Sequence, residues 1–102
     1  MAKFDVYVTT RGGLVLDCQA DVLSGLNSRF VVPLSDDAGD ETIRGRPDRR
    51  LNPRFQIDGR SYTMFTHLAA AIPTMELRSR RASLAAHDYE VGAALDMLIS
   101  GF

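Results

Sequence analysis

The chain reads as an α+β protein, mainly β: a small twisted antiparallel sheet or barrel with one C-terminal α-helix. Three observations carry this. Segments up to Val22 alternate apolar and polar side chains with period two, the mark of half-buried strands. The pair Asp58-Gly59 stands between two further runs of that kind. From Val91 to Phe102 the period changes, with Val91, Leu95, Leu98 and Phe102 stepping along one helical face.

Phe4, Val6 and Val8 alternate with Asp5, Tyr7 and Thr9, which predicts a first strand. Arg11-Gly12-Gly13 supplies the positive-φ positions of a tight connection, and a second strand follows from Leu14 to Val22, completing a hairpin. The turn Ser24–Ser28 leads to a third strand over Arg29–Leu34, expected to halt near Pro33 because proline cannot donate to a ladder. Residues 35–53 are a long polar connection, Asp36, Asp37, Asp40 and Glu41 preceding Arg44, Arg46, Arg49 and Arg50; connections of this length are commonly functional or mobile. Arg54–Ile57 and Ser61–Phe65 flank Asp58-Gly59 as a hairpin with a type I′ turn. Leu68–Ile72 is too short for a full helix before Pro73, and Thr74–Leu77 is expected as the last strand. Ser79 or Ser83 offers an N-cap for a closing helix over about Leu84–Ile99. Several short strands closed by one helix make a small SH3-like barrel or a twisted antiparallel sheet.

With 102 residues the chain is expected to form a single domain spanning 1–102. A 45% hydrophobic and 25% charged composition suits a packed core rather than disorder. Cys18 stands alone, so an internal disulfide is excluded and a reducing cytoplasm is the expected compartment. No apolar run has the length of a membrane span or a signal peptide, so no membrane association is expected. A net charge of −1 argues against broad nucleic-acid binding. Eleven of the twelve basic residues are arginine, whose planar fork favours carboxylates and phosphates.

His67 and His87 have no spacing that joins them to Cys18 as metal ligands, and no cofactor or catalytic residue is expected. Arg11-Gly12-Gly13 sits in a hairpin rather than opening a helix, which removes a phosphate loop. The arginines of the long loop either grip an acidic partner or pair with the neighbouring acids as solvated ion pairs. The helical stripe is expected to pack on the sheet, while Met97 and Ile99 lie off it and imply a second contact, most simply a two-fold copy of the same chain.

Two blocks carry a resemblance. Asp17-Cys18-Gln19-Ala20-Asp21-Val22-Leu23, continuing to Arg29–Leu34, and the ending Leu95–Phe102 resemble the CcdB toxins of bacterial toxin–antitoxin modules. Val6-Tyr7, Ile57, Gly59, Ala70 and Pro73 extend the similarity over nearly the whole chain. The resemblance implies a non-enzymatic homodimer that inserts its paired helix ends into the A subunit of DNA gyrase and traps the cleaved-DNA complex, and that a CcdA-like antitoxin neutralises. Operator DNA would be contacted only through the antitoxin complex. The gyrase-binding surface would comprise Val22, Leu23, Asp96, Ile99, Ser100, Gly101 and Phe102, and the dimer interface Met97, Ile99 and Gly101. Arg44, Arg46, Arg49 and Arg50 would receive the antitoxin. The family's pattern ends in tryptophan, glycine and an aliphatic residue, which fall here on Ser100, Gly101 and Phe102; Asp96 stands for an asparagine. Phe102 would supply the missing ring, stacking on an arginine of the target. Three other readings stay open: a CcdB scaffold that has lost or changed its gyrase target, a MazF-like endoribonuclease assembled from Arg11, Thr66 and His67, and a plain regulatory binding module.

Overall fold

A computed structural model describes residues 2–36 and 49–101. These form β1 (Asp5–Thr9), β2 (Leu14–Asp17), β3 (Ser28–Ser35), β4 (Arg54–Ile57), β5 (Arg60–Met64), β6 (Ala70–Pro73), β7 (Leu77–Ser83) and α1 (Asp88–Ser100). All pairings are antiparallel, in the order β4-β5-β3-β2-β1-β7, and the sheet curls into a half-barrel. The expected mainly β architecture with one C-terminal helix is therefore present.

The long central β3 carries two partners on the edge away from β2. Leu34 and Ser35 pair with β5, and Ser28–Val31 pair with β6. Pro33 lies between these two pairings, so the strand runs through it instead of halting. Its carbonyl accepts the Phe65 N–H at 2.9 Å. A residue's N–H and C=O leave an antiparallel strand on the same side, so proline's missing donor faces this junction, where no ladder bond is lost.

Three other boundaries differ from expectation. β2 stops at Asp17 rather than Val22: the Cys18 N–H still reaches the Phe30 carbonyl at 2.9 Å, but Asp21–Leu23 then closes a 3-10 turn. The segment 70–73 becomes β6, and the last strand is Leu77–Ser83 rather than Thr74–Leu77. β7 is an edge strand with two register shifts against β1, and its exposed Arg78, Arg80 and Arg81 hide the period-two signal. The helix begins at Asp88 because Ala85–His87 is a 3-10 turn, whose Ala85 N–H is capped by the Ser83 hydroxyl at 3.2 Å.

One face of the sheet is the main core. Val6, Leu16, Val32 and Met64 pack there with Leu84 and with Val91 and Ala94 of α1. Each such Val, Leu or Met is worth roughly 1.5–3 kcal/mol of burial. The opposite face holds a smaller cluster of Tyr7, Val15 and Val31, covered in part by Ile72 and Leu77. Phe4 joins the two ends of the chain at a positive φ of 72°. Its N–H reaches the Asp17 carbonyl at 2.6 Å, its carbonyl takes the Leu84 N–H at 2.7 Å, and its buried ring helps hold this strained backbone in place.

Candidate functional site

Two exposed apolar patches stand out from this core. The first is the 3-10 turn after β2, where Val22 is 89% exposed, accompanied by exposed Leu23 and Leu26. The turn is built by polar contacts, not by packing. The Leu23 N–H bonds the Ala20 carbonyl at 2.9 Å, the Ser24 N–H bonds the Asp21 carbonyl at 3.1 Å, and the Lys3 N–H reaches Asp21 Oδ1 at 2.6 Å.

Beneath the turn lies a group that sequence reading missed. Asp17 and Arg29 are fully buried and paired, with Arg29 Nε donating to Asp17 Oδ2 at 3.0 Å and Nη2 donating to the same oxygen. Asp17 Oδ1 takes the Gln19 N–H at 3.0 Å. Gln19 in turn accepts the Phe30 N–H on Oε1 and donates from Nε2 to the Leu23 carbonyl, each at 3.0 Å. Buried Arg29 Nη1 has no hydrogen-bond partner among the described residues. Period-two alternation puts Asp17, Gln19 and Arg29 on the face opposite the main core and predicts solvent for them; the fold buries all three instead. The available signal was a carboxylate and a guanidinium on consecutive strands.

The second patch is the end of α1. Val91 and Ala94 are buried and Leu95 is partly buried, but Leu98 is 41% exposed and Ile99 77%. The expected stripe therefore packs only over its first turns, and Leu98 joins Ile99 in solvent. Met97 is partly buried, while Asp96, Ser100 and Gly101 are exposed. Gly101 ends the helix in the left-handed conformation at φ 81°, its N–H bonded to the Met97 carbonyl at 3.0 Å. Among the described residues no hydrogen bond or ion pair links this end to the Val22–Leu23 turn. Phe102, Arg44 and Arg46 lie outside the described residues; Arg49 and Arg50 are exposed beside the start of β4.

The other sequence candidates have structural duties. The Thr66 hydroxyl is buried and donates to the Leu51 carbonyl. His67 Nδ1 meets Asn52 Nδ2 at 3.3 Å, and His87 pairs with Glu90 at 3.3 Å while its ring lies 5.0 Å from that of Phe55. Arg11 lines a groove of about 270 Å³ on the second face together with Val15, Val31, Pro33, Leu68, Ile72 and Glu76. Burial first, then the Asp17 carboxylate, pushes the Cys18 thiol up to about 12, which keeps it protonated and a poor nucleophile. Burial, with the charges of Asp5 and Asp17, also raises the Tyr7 phenol above its ordinary value. No cluster of three metal-ligating side chains occurs among the described residues.

The family model of the CcdB protein matches residues 3–101, from the segment clamped on the turn to the helix-ending glycine. The chain belongs to the CcdB family. No curated protein matches it. CcdB membership makes this chain a toxin of the toxin–antitoxin type. Both exposed patches fall within the matched region, as does the groove on the second face. No helix among the described residues is long and apolar enough to cross a membrane.

Proposed function

We propose that this CcdB-family protein acts by binding rather than catalysis: it engages the DNA gyrase A subunit, holds the enzyme on cleaved DNA, and is neutralised by a CcdA-like antitoxin. The observation that carries the reading is the pair of solvent-facing anchors, Val22 and Ile99, whose exposure has no use inside the protomer. Gyrase would be met by Val22, Leu23, Asp96, Ile99, Ser100 and Gly101, with Phe102 following. Two copies would meet through Met97, Ile99 and Gly101, so that both helix ends are presented together. In this reading the protein works in the cytoplasm and touches operator DNA only through its antitoxin.

The antitoxin would be received by the arginines Arg44, Arg46, Arg49 and Arg50. Acidic residues of the antitoxin would meet the arginines, so binding should weaken from low to high salt. Unchanged binding would remove the arginines from the receptor.

A second reading is favoured by one observation. Ser100 is exposed on the last helical turn, and the sequence resemblance sets it where the family pattern would have tryptophan, the type of anchor whose loss often costs more than ~2 kcal/mol. A toxin with a changed target would keep the scaffold and the antitoxin but not the gyrase contact. Induced expression with and without the neighbouring small gene, followed by supercoiling and cleavage assays on the host gyrase, separates the readings. Accumulated cleaved complex supports the first; toxicity without it supports the second; RNA fragmentation overturns both in favour of a ribonuclease.

A further inference from the structure

We infer that Gln19, fixed by the buried Asp17–Arg29 pair, is a positioning residue that sets how the Val22–Leu23 turn is presented to its macromolecular target. The inference rests on the reading of that turn as target surface. Val22 is almost fully exposed and Leu23 half so, so neither side chain packs well enough to hold the turn. Beyond the turn's own backbone bonds, one buried amide, used at both ends, ties it to the sheet. Gln19 Oε1 takes the Phe30 N–H from β3, and Nε2 donates to the Leu23 carbonyl.

The amide is itself aimed from below. The Gln19 N–H is bound by Asp17 Oδ1, and Asp17 is gripped by Arg29, the residue immediately before Phe30. The turn is thus tied into a closed loop of contacts running from β2 to β3 and back. Lys3 secures its outer side through Asp21. A turn fixed before binding loses less conformational freedom on binding, which raises affinity without adding a contact.

Two variants separate positioning from bulk stability. Gln19→Glu keeps an acceptor for the Phe30 N–H but sets oxygen against the Leu23 carbonyl, whereas Gln19→Met removes both bonds and keeps the length. Each is measured for thermal unfolding, for amide exchange at Leu23, Ser24 and Leu26, and for affinity toward gyrase A and toward the antitoxin. Both should fold, with exchange at the three amides faster and gyrase affinity lower by about tenfold, the worth of one such hydrogen bond, while antitoxin affinity holds. Val22→Ala should weaken gyrase binding in the wild type and much less in the Gln19→Met background, a coupling that general destabilisation would not produce. Native exchange rates in Gln19→Met, or equal loss toward gyrase and antitoxin, overturn the inference. A wild type that does not bind gyrase A overturns the functional reading alone, and the exchange measurement still decides whether Gln19 holds the turn.

Discussion

Asp17 and Arg29, the buried ion pair under the turn, are the residues with most at stake. Asp17 and Arg29 have no exposed side-chain surface, so removing one partner leaves an uncompensated charge in the interior. Arg29→Met is expected to destabilise the fold by about 3–5 kcal/mol in denaturant titration. The double variant Asp17→Leu with Arg29→Met should recover part of that loss but not all, because the Gln19 N–H stays without its acceptor. Cys18 gives a second test. Its ordinary value is 9.0 and its folded value about 12, so the stability from keeping the thiol neutral is intact below pH 9 and is lost as pH rises toward 12. Base unfolding of Cys18→Ala should lack this component, and wild-type alkylation at pH 8 should run far slower than that of a free thiol. The sequence showed Cys18 to be unpaired but not unreactive, since reactivity depends on the burial and the carboxylate that folding places around it.

Among the elements, the β4–β5 hairpin was the most legible, because its turn chemistry is local. Asp58 and Gly59 both adopt positive φ, 53° and 80°, as a type I′ turn requires. A methyl group at Gly59 would meet nothing, so Gly59→Ala should cost only the backbone penalty, about 1–2 kcal/mol, seen as a lowered melting temperature with unchanged spectra. β6 and β7 were misread for the opposite reason. Their strand character comes from pairing with β3 and β1, which are far away in sequence, and β7 keeps its arginines in solvent as an edge. The helix was correctly placed near its end and started too early, because the Ala85–His87 turn has the same local composition as a helix. Its apolar stripe continued past the point where there is sheet to cover it.

At the scale of the whole molecule, the exposed helix end and turn are the features the proposed assembly must cover. Sedimentation equilibrium at micromolar concentration should give twice the monomer's 11.2 kDa, and Ile99→Asp should return it to the single mass. A wild type that remains monomeric would leave Ile99 without its proposed partner. Membership of the CcdB family, the mainly β architecture, the I′ hairpin and the terminal helix were all legible in the chain by itself, because periodicity, turn chemistry and collinear motifs are properties of neighbours in sequence. Only the tertiary structure decided that Asp17, Gln19 and Arg29 form a buried support, that Pro33 sits harmlessly between two partner strands, and that Leu98 faces water while Val91 does not. Each of these depends on which distant strand arrives beside it: burial turns the same polar alternation from a solvated face into a hydrogen-bonded scaffold.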